Sequence, residues 1–317
     1  MSGETPVLAV VVTTYNRPDA LARVLQAYLA QDDRAIEMLI ADDGSGDATR
    51  QTVERFARSA PFPVRHIWHP DAGFRAGTIR NRAIASTRAD YLVFTDGDCI
   101  PLPGFVARHR ALAQSGWFVA GNRMLLSERF TARVLQDTIE LERWPAWRWA
   151  WHWLARDVNR IAPLFARADG PWRLRTPQRW EGAKTCNLAV WREDLERVNG
   201  FDESYGGWGL EDSDLVIRLL HAGVRHKNGR FATPLAHLWH AENDRSGLAH
   251  NRQRLDALIA SRAVRAPTGL AENARAASAG GTIGATTPGD VPAAALKQTA
   301  VAAASAAAPP DSATAPR

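Results

Sequence analysis

Short runs of β-branched residues alternate with helically spaced apolar positions through the first hundred residues. Residues 7–14 read Val-Leu-Ala-Val-Val-Val-Thr-Thr, residues 36–41 form a second apolar run, and Tyr91-Leu92-Val93-Phe94-Thr95 forms another. Runs of this length without polar alternation predict strands buried on both faces of a sheet. Between them, Leu21, Val24, Leu25 and Tyr28 carry helical spacing, with Pro18 and Asp19 suited to the helix start. Further helices are predicted over 48–59 and 78–88, and a strand over 64–68. Strand and helix alternating across short loops specify an α/β fold with a mostly parallel sheet. In such sheets ligands collect at the carboxyl ends of the strands. Thr13 to Asn16, Asp42-Asp43 and Asp96-Gly97-Asp98 all follow such ends and should converge on one crevice.

The later chain continues the pattern with a helix within 101–116, a strand at 117–120, a helix over 192–199 stopped by Gly200, and a helix over 215–222 ending at Gly223. Residues 231–239 read as a strand running into His240. His237 and His240 are three apart, so on a continuous strand at most one would face the crevice. From 266 onward the chain is rich in Ala, Gly, Thr, Pro and Ser, with too few large apolar residues for a core, which predicts a disordered tail over 266–317.

With 317 residues, 45% hydrophobic and 23% charged, the chain has the composition of a globular protein. No signal peptide and no apolar run long enough to span a membrane is evident, and two distant cysteines fit a reducing cytoplasm. A net charge of +5, carried mostly by arginine, suits phosphorylated ligands or anionic lipid as well as nucleic acid. Neither a G-x-G-x-x-G turn nor a G-x-x-x-x-G-K-[ST] loop is present, which disfavours dinucleotide and P-loop sites.

Four stretches carry candidate chemistry. Asp96 and Asp98 offer oxygen ligands to a hard divalent cation, with Gly97 permitting close approach. Asp42, at a strand tip, can accept hydrogen bonds from a base or ribose, whereas Asp43 and Asp47 read as structural, Asp47 as a helix cap. Gly206-Gly207-Trp208-Gly209 leads into Glu211 and Asp212 at a helix mouth, where a general base could meet a bound hydroxyl. Trp144, Trp147, Trp149, Trp151 and Trp153 crowd ten positions among arginines, with Trp144, Trp147 and Trp151 on one helical face. That density suits a membrane interface, stacking on sugar rings, or a core helix packed on the sheet.

The segments Val-Val-Thr-Thr-Tyr-Asn-Arg at 11–17, Ala-Asp-Asp-Gly-Ser at 41–45, Ile-Arg-Asn-Arg-Ala at 79–83 and Thr-Asp-Gly-Asp at 95–98 resemble family 2 glycosyltransferases. Gly-Gly-Trp-Gly-Leu-Glu-Asp-Ser-Asp at 206–214 is similar to the carboxy-terminal motif of β-1,4-galactosyltransferases and bacterial chondroitin polymerases. The resemblance covers about 6–245 and implies the A-type glycosyltransferase fold, a Rossmann-like nucleotide-binding half plus an acceptor-binding half. It divides a catalytic domain at 5–265 into a nucleotide-sugar half (5–125), a Trp/Arg-rich helical insertion (126–180) and an acceptor half (181–265).

The resemblance also implies roles. Thr13, Tyr15, Arg17, Asp42, Arg80, Asp96, Gly97 and Trp208 would bind the nucleotide-sugar, with Asp42 on the uracil. Asp98, His240 and Asp96 would hold Mn2+ or Mg2+, with His237 as the alternative histidine. Asp212 would be the catalytic base, with Glu211 beside it. Leu210 and Ser213 depart from the galactosyltransferase motif, which leaves galactose unsupported as the donor sugar. The implied activity is inverting, metal-dependent transfer from a nucleotide-diphospho-sugar, UDP-linked, to a glycan or glycolipid acceptor of the bacterial envelope. Nucleic acid is not an expected partner, and peripheral contact with the inner face of the cell membrane is expected through the Trp-rich middle. The competing expectation is a nucleotide-sugar-binding protein without turnover.

Overall fold

The computed structural model describes residues 7–165, 167, 169–242 and 244–272. β1 (Leu8–Thr14), β2 (Ile36–Asp42) and β4 (Tyr91–Asp96) form the centre of a seven-stranded sheet, with β3 (Val64–Trp68) at one edge. The order is β3-β2-β1-β4-β8-β6-β9, completed by β8 (Leu188–Trp191), β6 (Trp117–Ala120) and β9 (Arg225–Asn228). β8 pairs antiparallel with both β4 and β6, while β6 and β9 are parallel. Six strands therefore point one way and β8 alone is reversed. The amino end of β8 consequently lies on the same edge as the carboxyl ends of its neighbours.

Alternation along the strands places the two cores. Leu8, Val10 and Val12 of β1 face one core with Val93, while Ala9 and Val11 face the other with Leu92 and Phe94. α1 (Pro18–Leu29) and α2 (Asp47–Ser59) cover the first face through Leu21, Val24, Leu25, Tyr28, Val53 and Phe56. α3 (Ala76–Ser86), α7 (Arg192–Arg197) and α8 (Glu211–His221) cover the second. Burial on both faces is why these strands read as unbroken apolar runs. A small second sheet, β5 (Cys99–Pro101), β10 (Leu235–His237) and β7 (Met124–Leu125), lies next in the chain to the Asp96-Gly97-Asp98 turn. No helix among the described residues is long and apolar enough to cross a membrane.

Several expectations are corrected. Strand geometry expected over 231–239 is confined to Leu235–His237; a turn closed by Ala232 N and Thr233 N on Gly229 O, with Phe231 at a left-handed φ of 61°, occupies the start of that stretch. α8 begins at Glu211 rather than 215, so the acids form its first turn, where the helix dipole favours them. Gly46, not Asp47, caps α2; Asp47 is the first helical residue. α9 (Leu248–Ser261), to which the apolar pattern assigned no element, packs on α8 through Leu255 and Leu258.

The packed chain also runs past 265. Ala266 N donates to Val198 O, Leu270 N to Asn199 O, and the Asn199 side chain bonds Ala266 O and Glu272. The expected tail start therefore falls inside the fold for residues 266–272, held by hydrogen bonds to Val198, Asn199 and Glu203, by the buried Ala266 and by Leu270 packed against the second core. The remainder of the expected tail, 273–317, and the expected domain start at 5 lie outside the described residues.

In the Trp-rich insertion, α5 (Glu128–Gln136) precedes α6 (Ala146–Leu154). Trp144 lies before α6 because Pro145 holds the preceding chain extended. It turns inward, its ring centroid 5.6 Å from Phe130, 5.3 Å from Trp149 and 4.6 Å from His152. The expected Trp144–Trp147–Trp151 face does not form. Trp149 and His152 point into the core, while Trp147, Trp151 and Leu154 form the opposite, exposed stripe.

Candidate active site

A cavity of about 800 Å³ opens at the carboxyl edge of the large sheet. Thr13, Tyr15, Arg17, Arg80, Asp96, Gly97, Asp98, Trp208, Glu211, Asp212, His237 and His240 all line it. Asp42 does not. It is fully buried, its Oδ1 accepting from Ser45 N at 2.8 Å and its Oδ2 lying 2.9 Å from His66 Nε2. This corrects the sequence reading: Asp43 reaches the cavity wall instead, fixed by His69 Nε2 at 2.7 Å and by Arg75 N at 2.8 Å. As the last residue of β2, Asp42 turns its side chain back toward β3, and the next residue emerges at the rim.

Arg80, from α3, organises the floor. Its Nε donates to Thr13 Oγ1 at 3.0 Å, Nη1 lies 3.2 Å from Glu211 Oε1, and Nη2 lies 3.4 Å from Asp96 Oδ1. One guanidinium thus ties β1, β4 and the mouth of α8 together. Burial raises the Glu211 and Asp96 carboxyls above their ordinary range, a tendency that the Arg80 charge opposes at both. Gly97 is required where it stands, since a Cβ there would lie 2.9 Å from Thr14 Oγ1 and 3.2 Å from Thr13 O.

Asp98 faces away from Arg80, toward two histidines. His237 Nε2 lies 3.5 Å from its Oδ1 and His240 Nε2 lies 3.4 Å from its Oδ2. Both imidazoles arrive together because β10 ends at His237, so the strand rule that separated them no longer applies at His240. Asp98, His237 and His240 have donor atoms close enough to share one cation, whereas Asp96 belongs to a separate group with Cys99 and Cys186. The resemblance implies Asp98, His240 and Asp96 as ligands with His237 as the alternative; here the donors that group together are those of Asp98, His237 and His240, and Asp96 pairs with Arg80. Burial and the nearby Arg123 charge push the His237 imidazole down to about 4, keeping it neutral and able to donate a lone pair.

Asp212 sits beside Glu211 in the first turn of α8. Its Oδ1 accepts from Ser213 N at 2.7 Å and lies 3.3 Å from Lys184 Nζ, while its Oδ2 has no hydrogen bond among the described residues. Asp214 is turned away, its Oδ1 2.7 Å from Arg218 Nε and its Oδ2 accepting from Tyr205 OH at 3.2 Å. The preceding loop is tightly turned, with φ of +72° at Gly207, +107° at Gly209 and 76° at Leu210. Where the galactosyltransferase motif carries a glycine, Leu210 holds a left-handed backbone that costs a residue with a side chain about 1–2 kcal/mol. α9 braces the loop, with Asn251 Nδ2 donating to Gly209 O at 2.9 Å and to Gly206 O at 3.2 Å. The Arg245 guanidinium lies 5.5 Å from the Trp208 ring centroid.

Arg123, Lys184, Cys186 and Arg245 also line the cavity and were not anticipated. Arg123 follows the carboxyl end of β6, the signal that found the other residues. Lys184 and Cys186 enter at the amino end of the reversed β8, which no forward reading of strand ends could place.

The comparisons with known proteins agree with this geometry. The model described as glycosyl transferase family 2 matches residues 9–167, and the model described as N-terminal domain of galactosyltransferase matches residues 172–241. The chain is 28% identical over 241 residues to validoxylamine A glucosyltransferase of Streptomyces hygroscopicus subsp. jinggangensis, covering 70% of this chain and 53% of that protein. It is 24% identical over 231 residues to a chondroitin synthase of Escherichia coli, covering 68% of this chain and 32% of that one. The chain thus spans about half the length of the first of these relatives and less of the second. Among solved structures, Staphylococcus aureus TarS 1–349 superposes with a TM-score of 0.53 at 15% identity, over 84% of this chain and 67% of that one. A mannosyltransferase from Pyrobaculum calidifontis, in complex with GDP-Man and Mn2+, gives 0.52 at 18% identity, over 95% and 81%. These likenesses establish the A-type glycosyltransferase fold, and the match across half the sequence, over the strands that build the cavity floor, makes the chain a member of glycosyl transferase family 2.

Proposed function

We propose that this chain is an inverting, divalent-metal-dependent glycosyltransferase that moves a sugar from a nucleotide-diphospho-sugar to a hydroxyl of a glycan or glycolipid acceptor. The observation that carries the reading is one cavity with the Asp98–His237–His240 cluster and Asp212, whose Oδ2 has no hydrogen bond among the described residues, both on its walls. One carboxylate and two imidazoles, His237 neutral, fit a divalent cation. The two nitrogens favour Mn2+ over Mg2+, which prefers oxygen ligands. When bound there, such an ion would neutralise charge on the leaving diphosphate.

The chain's own residues supply the rest. Thr13, Tyr15 and Asp43 form the wall proposed for the nucleotide, and Arg80 the floor beneath the diphosphate. Trp208 offers a ring face to a sugar, held against Arg245. Asp212 Oδ2 takes the proton of the acceptor hydroxyl as that oxygen attacks the anomeric carbon from the face opposite the leaving group. One such displacement inverts the anomeric centre. A UDP-linked donor and a bacterial-envelope acceptor are the readings we carry forward. The relatives named as chondroitin and hyaluronan synthases favour a polysaccharide product.

Titrating UDP and GDP calorimetrically, with Mn2+ and with chelator, tests the donor site. Tight UDP binding only with metal is expected. Metal-independent binding would overturn the cation role, and a preference for GDP would overturn the UDP assignment.

A further inference from the structure

The exposed face of α6 has no counterpart in the donor and acceptor chemistry. Trp147 is 72% exposed, Trp151 67% and Leu154 70%, and their spacing puts them on one stripe of the helix. Trp149 and His152 on the opposite side are buried. A helix apolar on both faces, one of them in water, marks an unpartnered contact surface.

The charges around the stripe name the partner. Between 143 and 160 the exposed ionisable residues are Arg143, Arg148, Arg156 and Arg160. Asp157, the acid of that stretch, is buried against His152 and Arg129. Arg143 and Arg156 flank the two ends of α6, and Arg148 lies along its side, its guanidinium 4.3 Å from the Trp144 ring centroid. Tryptophan and leucine on the outward stripe, bordered by the exposed Arg148, Arg156 and Arg160 and by Arg143, which pairs with Glu140 at 3.1 Å, match the apolar boundary and anionic headgroups of a phospholipid bilayer.

The helix is rigidly mounted. His152 Nδ1 lies 2.9 Å from Asp157 Oδ2, and Asn159 N donates to Leu125 O at 3.0 Å. Leu126, which bridges to Val158, donates its N–H to His237 O at 3.0 Å. The insertion is therefore stitched to the strand that carries a histidine of the cavity.

We infer that the Trp147–Trp151–Leu154 face of α6, with its flanking arginines, docks the protein on an anionic phospholipid surface. This does not depend on the donor, metal or acceptor readings.

Cosedimentation of the full chain with phosphatidylcholine vesicles, alone or mixed with phosphatidylglycerol, tests it. Binding is expected to the mixed vesicles, weakening as salt rises. Trp147→Ser with Trp151→Ser should reduce it about tenfold or more, and Arg143→Gln with Arg156→Gln should remove the preference for anionic lipid. The melting temperature of each variant should stay at the wild-type value, which separates loss of the surface from loss of the fold. Leu154→Gln serves as the milder probe should the double tryptophan variant fail to fold. Absence of binding to mixed vesicles, or equal binding by the variants, would overturn the inference. A concentration-dependent dimer abolished by the tryptophan substitutions would instead assign the face to a second copy of the chain.

Discussion

Arg80 and Glu211 form a buried ion pair, 3.2 Å between Nη1 and Oε1, that joins α3 to the first turn of α8 beneath the cavity. The pair divides the work of two adjacent acids. Glu211 is committed to Arg80, and through it to Asp96 and Thr13, whereas Asp212 keeps one oxygen unbonded among the described residues. Asp212→Asn is expected to lower transfer by roughly a hundredfold or more, the scale of general-base removal, with donor affinity unchanged. Glu211→Gln should instead weaken donor binding and lower stability by about 1–3 kcal/mol, because Arg80 loses a charged partner. Kinetics, nucleotide titration and denaturation of both variants check the division. Near-normal turnover in the Asp212 variant would remove it from the mechanism.

Asp98, His237 and His240 should act as one site. Replacing any of them with Ala is expected to reduce metal-dependent nucleotide binding on the order of a hundredfold, while Mn2+ supports wild-type binding better than Mg2+. Asp96→Asn should behave differently. Its carboxylate pairs with Arg80, so metal affinity should survive better than donor orientation. Calorimetric Mn2+ titration of the four variants distinguishes the roles. Equal loss of metal affinity in the Asp96 variant would return it to the metal site.

How much of this was legible in the sequence follows from strand geometry. β1, β2 and β4 announce themselves because both faces are buried, and their carboxyl ends lead to Thr13, Asp96 and Asp98 on the cavity wall. The choice between Asp42 and Asp43 turned on which side the last residue of β2 faces, and His66, a residue of another strand, decides that. His237 and His240 were separated by assuming a longer strand than the chain forms. Lys184 and Cys186 reach the site only because β8 runs backwards, a property of the assembled sheet. α9 hid because its buried stripe includes Asn251, whose amide serves the glycine-rich loop rather than an apolar core.

Asn199 should prove a structural hinge point for the carboxy-terminal part of the described chain. Its Nδ2 donates to Ala266 O at 3.0 Å and Glu272 Oε2 at 2.9 Å, and its Oδ1 accepts from Ala271 N at 2.8 Å. Asn199→Ala is expected to cost about 1–3 kcal/mol, since buried groups lose their partners. Truncation after residue 265 should cost more, because it also removes the backbone bonds to Val198, Asn199 and Glu203 and the packing of Leu270 on the core. Urea denaturation of both checks this, and a truncated chain as stable as the full one would show that the contacts contribute nothing.

The last expectation concerns pH. His109 on α4 (Phe105–Leu112) is fully buried, its Nε2 3.0 Å from Asn187 Oδ1 and its ring centroid 4.7 Å from that of Phe105. Asn187 Oδ1 also accepts from Thr233 Oγ1, so it acts as an acceptor and His109 presents Nε2–H to it. Burial pushes the imidazole from its ordinary value of 6.5 down to about 4, against the opposing effect of the Asn187 bond. The unfolded chain therefore binds a proton below pH 6.5 that the folded chain refuses until about pH 4. Stability is fully present above pH 6.5 and falls with acidification through that window. The slope is at most about 1.4 kcal/mol per pH unit, giving a loss of roughly 3 kcal/mol from this residue. His109→Gln keeps a donor for Asn187 but cannot take the proton. Its stability should therefore fall less steeply between pH 6.5 and 4, whatever its stability at neutral pH. Urea titrations across that range measure the slope directly, and parallel curves for the two proteins would show that His109 titrates alike in the folded and unfolded chains.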